Sequence, residues 1–219
     1  MTLETNSGRS FLLLLAMLMS VLTLSACNES SASRKGVDKP VAEIPEDAQS
    51  VILGMGCFWG AEKRMSALPG VLDVVSGYAG GDYENPSYKK VLYSEYVPGV
   101  KNHAEVVKVV FDPSATSAEQ VLIGFWQNHD PTQGDRQGND RGSQYRSAVY
   151  FTSEAQGEAA LRTRDVYQKA LSQDGYGPIT TEIAPLKAFY SAEEYHQDYL
   201  IKNPNGYCGL GGTGVKYPQ

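Results

Sequence analysis

One cysteine lies among glycines and two large aromatic residues in the segment of residues 54–60, which reads GMGCFWG. A short apolar run that predicts a buried strand precedes this segment and a helical pattern follows it, so Cys57 is expected at a helix N-terminus. Unpaired N–H groups at that end favour the thiolate, which makes Cys57 a candidate nucleophile. The alternative is a structural cysteine, with Phe58 and Trp59 as ordinary core residues.

A glutamate near the start of a predicted strand is the second candidate. In strand alternation one face would carry a carboxylate followed by an apolar row, namely His103, Glu105, Val107, Val109 and Phe111. Burial would raise the pKa of the Glu105 carboxyl and keep it protonated near neutral pH, as a general acid requires. The alternative is a strand-end glutamate that faces solvent.

Phenols at the ends of predicted elements could donate hydrogen bonds into a cleft. Tyr78 precedes a glycine turn, and Tyr145 is predicted to begin a strand after a long glycine-rich loop. The chain has 14 tyrosines, so one tyrosine alone is weak support for a site. Asp130, directly before Pro131, is by itself typical of a helix stop.

Composition and motif spacing exclude several functional classes. The 219 residues carry a formal net charge of −6 and no basic run, which disfavours nucleic-acid binding. The histidines and cysteines lack metal-ligand spacing, so no metal is expected. Phosphate-binding glycine patterns are missing too, so nucleotide binding has no support. A soluble globular protein with one or at most two domains is indicated.

The N-terminus has the pattern of an export signal. An apolar run over residues 11–24 follows Arg9 and leads into Leu24-Ser-Ala-Cys27. This junction resembles the lipobox of bacterial lipoproteins, which predicts a signal peptide over residues 1–26 and a lipidated Cys27. A plain signal peptide cut near Ala26 and a permanent transmembrane helix are the alternatives. Polar residues then predict a flexible, lipid-anchored tether over residues 27–50.

If Cys27 is an anchor, Cys57 and Cys208 remain as one potential pair in the domain of residues 51–219. In an oxidising compartment they could form a structural disulfide. The domain itself alternates strands and helices. They include helices with capping boxes at Ser117 and Ser153, a strand over residues 179–184, and a helix from Ser191 to about Asn203. A two-layer α/β (α+β) sandwich with helices packed on a sheet is therefore expected.

Six motifs together resemble the A-type peptide methionine sulfoxide reductases. The resemblance extends from about Val51 to Gly209 through GCFWG at Cys57, GYAGG at 77–81, HAEVVKVVFDP around Glu105, FWQNHDPTQGDRQGNDRGSQYRSAVY at 125–150, YHQDYL at 195–200 and NPNGYCG at Cys208. It implies a mixed sheet with a ferredoxin-like core, packed helices and a long glycine-rich C-terminal tail.

The resemblance also implies a role for each candidate residue. Cys57 would attack the sulfur of the S epimer of methionine sulfoxide, free or protein-bound, and Glu105 would protonate its oxygen. The pocket would be completed by five further residues, of which two would receive the methyl group and three would form the polar side: Phe58 and Trp59, then Tyr78, Tyr145 and Asp130.

Cys208 matches the resolving cysteine, which would form a disulfide with Cys57 that a thioredoxin-like protein reduces. No cofactor is implied, and a monomer is expected. Two departures stand out: Lys216 lies where some relatives have a further cysteine, and residues 101–103 read Lys-Asn-His where the family usually has Thr-Gly-His. Since Asn tolerates left-handed backbone angles, the turn at Asn102 could survive.

With the predicted signal, the resemblance describes a periplasm-facing lipoprotein of the bacterial cell envelope that repairs oxidised proteins. Three other classes stay open at this point. A general thiol oxidoreductase or peroxidase would need neither the aromatic pair nor the buried acid. A binding lipoprotein would hold Cys57 and Cys208 in a permanent disulfide. A Cys-His hydrolase would need a histidine near Cys57 and an oxyanion hole.

Overall fold

A computed structural model describes residues 44–94 and 97–219. The predicted signal peptide, Cys27 and most of the predicted tether lie outside the described residues. All described residues belong to one unit. Its first strand begins at Gln49, two residues before the predicted start of the domain.

Eight strands and five helices follow one another within the described residues. In order they are β1 Gln49–Met55, α1 Phe58–Met65, β2 Val71–Ala79, α2 Tyr88–Ser94, β3 Ala104–Phe111, α3 Ala118–Gln127, β4 Arg136–Gln137, β5 Asp140–Arg141, β6 Ser147–Phe151, α4 Glu154–Gln173, β7 Glu182–Pro185, β8 Phe189–Ser191 and α5 Tyr199–Lys202. Short 3-10 helices span Ser143–Tyr145 and Glu194–His196.

Six of the strands form one mixed sheet in the order β7-β6-β1-β3-β2-β8. The β6–β7 pair is parallel and the other pairs are antiparallel. Elements β1-α1-β2-β3-α3-β6, with β6-β1-β3-β2 adjacent in the sheet, have the order of a ferredoxin-like unit. The predicted α+β class, mixed sheet and packed helices are confirmed.

The two faces of the sheet are covered differently. Side chains of β1 and β3 that point to one face, such as Leu53, Val107 and Val109, pack in the main core with residues of α1, α3 and α4. Ile52 and Val106 point to the other face, which the segment around residues 184–189 covers. Each fully buried large apolar side chain contributes about 1.5–3 kcal/mol, so the helix-covered face holds most of the stabilisation.

Serine caps begin the two long helices, as predicted. The Ser117 hydroxyl accepts a hydrogen bond from the Gln120 N–H at 3.2 Å, and the Ser153 hydroxyl accepts one from the Gln156 N–H at 3.4 Å. Each cap satisfies an N–H group that has no partner within its own helix. Local sequence therefore sets where α3 and α4 begin.

The helix predicted from Ser191 to Asn203 is wrong. The segment forms a 3-10 turn and the short helix α5, separated by Gln197 and by Asp198, whose φ is +53°. The Gln197 amide bonds both the N–H and the carbonyl of Ser76 at 3.0 Å, alongside β2. These tertiary hydrogen bonds fix Gln197 outside helical geometry and override the local helical pattern.

Smaller differences concern three other segments. Tyr145 ends a 3-10 turn and does not begin a strand, since β6 starts at Ser147. Helix α2 was not predicted, and only Val91 of its residues is buried. The predicted strand over residues 179–184 is β7, which starts later, at Glu182. Asn102 does not have a positive φ, so the left-handed turn considered for it does not occur.

Across residues 44–94 and 97–219, no helix has both the length and the apolar character needed to cross a membrane.

Two glycines with the same backbone conformation test how tightly the chain packs around Tyr150. Gly80 and Gly99 have φ of +78° and +79°. A Cβ on Gly80 would overlap the Tyr150 hydroxyl, whereas one on Gly99 would meet nothing within 4 Å. The left-handed conformation makes alanine unfavourable at both positions by about 1–2 kcal/mol.

We therefore expect Gly99→Ala to lower the free energy of unfolding by about 1–2 kcal/mol. Gly80→Ala should lower it by roughly 2–5 kcal/mol, because overpacking adds about 1–3 kcal/mol. Urea titration of the two variants measures the difference. Equal losses would show that Tyr150 does not pack against Gly80.

Candidate active site

Cys57 lies at the junction of β1 and α1. It is the N-cap residue of α1, it follows Gly56 with a φ of +92°, and it is only 7% exposed. The pKa of the Cys57 thiol is raised to about 12, mainly by burial and also by the nearby Glu105, while the N–H groups of Trp59 and Gly60 lower it by less. The N–H groups at the helix end favour the thiolate as expected, but desolvation outweighs them.

Glu105 reaches the same junction from β3. Its carboxyl is 2% exposed and its Oε2 accepts a hydrogen bond from the Phe58 N–H at 3.1 Å. Burial raises the pKa of Glu105 to about 8, although the Phe58 N–H lowers it. The predicted desolvated carboxyl is confirmed, and at neutral pH it holds a proton that it can donate.

A cavity of about 200 Å³ opens beside these two groups. Its volume suits one side-chain group and is below the roughly 300–1,000 Å³ of pockets for drug-sized ligands. The residues that line it come from six parts of the chain: Cys57, Phe58, Trp59, Tyr88, Glu105, Asp140, Tyr145 and Tyr207. Of the eight predicted site residues of the domain, the cavity brings together Cys57, Phe58, Trp59, Glu105 and Tyr145.

Aromatic side chains form a fixed wall on one side of the cavity. The Trp59 ring stacks on Tyr199 with centroids 3.8 Å apart, and its Nε1–H donates to Nδ1 of His196 at 3.1 Å. His196 is 4.9 Å from the Phe58 ring and 4.6 Å from the Tyr88 ring, measured between centroids. Since Nδ1 accepts a hydrogen bond and burial lowers the pKa of His196, this imidazole is neutral.

Polar groups form the other side of the cavity. Burial is the main cause that raises the pKa values of the Tyr88 and Tyr145 phenols, and Glu105 adds to it in both cases. Both phenols therefore remain neutral hydrogen-bond donors at physiological pH. Burial also raises the pKa of Asp140, which accepts a hydrogen bond from the Tyr207 hydroxyl at 3.3 Å.

Two predicted pocket residues do not line this cavity. Tyr78 is fully buried in β2, and its hydroxyl donates to Oε2 of Glu193 at 2.9 Å. Asp130 closes a local turn, since its carboxylate accepts from the N–H and hydroxyl of Thr132 and from the Gln133 amide, at 2.7–3.0 Å. Tyr88 and Asp140 line the cavity, whereas Tyr78 and Asp130 do not.

The residues that sequence reasoning missed had weak signals. Tyr88 opens a helix of seven residues just after Pro86, and Asp140 lies in the glycine-rich loop that was identified only as a whole. Tyr207 is 49% exposed and directly precedes Cys208. Position next to a proline, a glycine or a cysteine does not say which way a side chain points.

Cys208 lies over the first turn of α1 and is an exposed free thiol, while Cys57 is a buried free thiol. A Cβ built on Gly60 would lie 3.0 Å from Sγ of Cys208. Since Gly60 follows Cys57 by three residues, the two cysteines are placed on the same side of the helix start.

Within the described part of the chain there is no cluster of three or more His, Cys, Asp or Glu residues that could hold a metal ion.

Comparison with known proteins gives one consistent result. The family model described as "Peptide methionine sulfoxide reductase" matches residues 49–214. The human mitochondrial peptide methionine sulfoxide reductase is 55% identical over 181 residues, which are 83% of this chain and 75% of the relative. The MsrA protein of Pseudomonas aeruginosa (strain LESB58) is 55% identical over 177 residues, covering 81% of this chain and 80% of the relative.

Solved structures agree with these relatives. The structure of methionine sulfoxide reductase A of Corynebacterium diphtheriae has a TM-score of 0.69 and 40% sequence identity to this chain. The match covers 80% of this chain and 85% of the other.

The raised pKa of Glu105 predicts a pH dependence of stability. The folded carboxyl keeps its proton up to about pH 8, whereas an unfolded glutamate loses it near pH 4.3, so folding takes up a proton between these values. The stabilisation is present below the unfolded pKa and is lost as pH rises through about 8.

We expect Glu105→Gln to reduce the fall in the free energy of unfolding between about pH 5 and pH 8 by up to about 1.4 kcal/mol per pH unit. Denaturant titrations at several pH values measure this slope. Glu158→Gln, at a side chain that is 74% exposed, is the control and should keep the original slope. An unchanged slope in Glu105→Gln would mean that Glu105 is already ionised at neutral pH.

Proposed function

The chain belongs to the peptide methionine sulfoxide reductase family, and we propose that it reduces the S epimer of methionine sulfoxide with the residues that line the cavity. The single observation that carries the assignment of roles is the cavity itself, which holds a cysteine thiol beside a buried carboxyl with a pKa of about 8. The pair supplies a nucleophile and an acid to one bound group.

In the first step the sulfur of Cys57 attacks the sulfur of the sulfoxide. Glu105 donates a proton to the sulfoxide oxygen and regains one from the Cys57 thiol, so no net proton is needed. The hydroxyl then moves from the substrate sulfur to the Cys57 sulfur: the S–O bond to the substrate and the S–S bond formed by the attack both break, which leaves methionine and a sulfenic acid on Cys57. The substrate sulfur is reduced by two electrons and the Cys57 sulfur is oxidised by two.

The rest of the cavity orients the substrate for this attack. The phenols of Tyr88 and Tyr145 are neutral donors suited to the sulfoxide oxygen, and Asp140 supports the polar side. The apolar faces of Phe58 and Trp59 suit the methyl group. The Trp59 stack on Tyr199 keeps this wall in place, so little ordering is required when substrate binds.

In the second step Cys208 condenses with the sulfenic acid and releases water, leaving a Cys57–Cys208 disulfide. A thioredoxin-like dithiol then reduces this disulfide by thiol exchange. All electrons come from thiols, so the balanced reaction needs no cofactor. The position of Cys208 over the first turn of α1 supports its role as resolving cysteine.

The other classes considered from the sequence are not favoured. A permanent structural disulfide is at odds with two free thiols, one of them exposed. A general peroxidase would have no use for the aromatic wall and the carboxyl proton donor. A hydrolase would need a histidine base at Cys57, but His196 accepts its hydrogen bond from Trp59.

A single-turnover assay tests the reaction. The reduced domain is mixed with the separate S and R epimers of methionine sulfoxide, and methionine and free thiols are counted. We expect one methionine per chain from the S epimer alone, with loss of both thiols. Product from neither epimer with both thiols intact would contradict the proposal.

Variants separate the steps of the same assay. Cys57→Ser should give no product, and Cys208→Ser should give about one methionine per chain and then stop with a thioredoxin-like donor. Glu105→Gln keeps the size of the side chain but has no acidic proton, so the first step should slow by about 10²–10⁴-fold. Glu158→Gln is the matched control and should react at the normal rate.

We further propose that the mature protein is a lipoprotein that faces the periplasm. The support is the sequence of the N-terminal segment, with its apolar run over residues 11–24 and the lipobox-like Leu24-Ser-Ala-Cys27. The residues between Cys27 and β1 would then tether the catalytic domain to the membrane. Oxidised proteins of the envelope would be its substrates.

Metabolic labelling with a fatty acid in a bacterial host tests this anchor. The full chain should incorporate label and sediment with membranes, while Cys27→Ser should carry no label and remain uncleaved or become soluble. Cys208→Ser is the control cysteine and should label normally. A full chain without label would rule out the lipid anchor and leave a plain export signal.

A further inference from the structure

The tail that carries Cys208 is anchored two residues after the cysteine. Leu210 is 5% exposed and belongs to the main core. Its side chain rests on the first turn of α1, where a Cβ built on Gly60 would lie 3.0 Å from Cβ of Leu210. The same hypothetical Cβ lies 3.0 Å from Sγ of Cys208, so both side chains use the space left by Gly60.

Arg64 holds this anchor from the helix side. It follows Gly60 by four residues and therefore lies on the same side of α1. Its Nη2 donates to the carbonyl oxygen of Leu210, and its Nη1 donates to Oδ1 of Asn128 at 3.3 Å. Asn128 is the C-cap of α3, and its own amide donates to the Gly124 carbonyl at 2.8 Å. One guanidinium thus joins the nucleophile's helix, the end of α3 and the tail.

The tail before this anchor is held weakly. Tyr207 is 49% exposed, and its hydroxyl bond to Asp140 is long at 3.3 Å. Cys208 is exposed. A residue extends the chain by at most about 3.3–3.6 Å, so the fixed Leu210 keeps Cys208 within roughly 7 Å along the backbone. Restricting Cys208 to a small volume raises the effective concentration of its thiol at the Cys57 sulfur.

We propose that Arg64 is a positioning residue for the second step of the reaction. This inference rests on the proposed function, in which Cys208 resolves the Cys57 sulfenic acid. In that step the S–O bond on Cys57 breaks, an S–S bond to Cys208 forms, and the hydroxyl leaves as water with the thiol proton. The Cys57 sulfur is reduced and the Cys208 sulfur is oxidised. Arg64 touches neither sulfur and acts through the Leu210 carbonyl.

The test compares Arg64→Met with Lys63→Met. Lys63 is the exposed neighbour of Arg64 on the same helix and has no hydrogen bond to the tail among the described residues. Reduced full-length protein is mixed with one equivalent of the S epimer of methionine sulfoxide, and samples are quenched over time. Methionine reports the first step, free thiols report the disulfide, and a dimedone adduct at Cys57 reports the sulfenic acid.

We expect Arg64→Met to release methionine within about twofold of the unaltered rate. Disulfide formation should slow by at least tenfold, and the dimedone adduct should accumulate. Lys63→Met should behave like the unaltered protein in all three measurements. Normal disulfide formation in Arg64→Met, with normal methionine release, would overturn the inference.

Two further variants keep the outcome interpretable. If Arg64→Met does not fold, Arg64→Lys is measured, which can keep one hydrogen bond and should slow disulfide formation less; no slowing in Arg64→Lys would then overturn the inference. Cys208→Ser tests the premise. This variant lacks the resolving thiol, so the Cys57 sulfenic acid should persist and be trapped as the dimedone adduct. If Cys208→Ser still consumes the sulfenic acid at the normal rate, the proposed resolving role fails independently of Arg64.

Discussion

The hydrogen bond from the Phe58 N–H to the Glu105 carboxyl sets the geometry on which the rest of the site depends. The first N–H groups of a helix have no partner within the helix, and leaving one buried without a partner costs about 1–3 kcal/mol. Cys57 is the N-cap residue but its side chain makes no cap hydrogen bond. Glu105 meets this requirement from the neighbouring strand β3. One contact therefore fixes the Glu105 carboxyl next to Phe58, the first residue of α1, and so next to Cys57.

A second, partly exposed carboxylate organises the aromatic wall of the cavity. Glu193 accepts from the Tyr78 hydroxyl through Oε2 and from the Tyr88 N–H through Oε1, both at 2.9 Å. It lies just before the 3-10 turn that carries His196, which in turn holds Trp59. A continuous helix over residues 191–203 would move Glu193 and His196 away from these partners. Because the path of this segment is irregular, Glu193 can bond Tyr78 and Tyr88 while His196 bonds Trp59.

Local sequence predicted the features that local physics decides. The serine caps of α3 and α4, the strand β3 and the buried face that includes Glu105 follow from patterns within ten residues of each feature. Features set by distant partners could not be predicted in this way. The Gln197 amide breaks a helical pattern because Ser76, far away in sequence, offers it two backbone groups.

The same distinction explains the errors in the site. Tyr78 lies near the end of β2 and Tyr88 begins α2, so both have similar positions in the sequence. The distant Glu193 accepts the hydrogen bond of the Tyr78 hydroxyl, and the sequence around Tyr78 does not predict this partner. Asp130 is a different case, since its partners Thr132 and Gln133 are two and three residues away. An aspartate followed two residues later by threonine is a common turn, so this assignment could have been avoided from sequence.

A thiol with a pKa of about 12 has consequences for selectivity. Burial favours the thiol form at neutral pH, whereas the thiolate is the form that peroxides oxidise. The same burial therefore disfavours oxidation of Cys57 by peroxides. A bound sulfoxide changes this balance, because its electrophilic sulfur favours the thiolate while its oxygen takes the proton of Glu105. Desolvation is the main cause that raises the pKa of both Cys57 and Glu105, so one buried environment disfavours the free thiolate and favours the protonated acid.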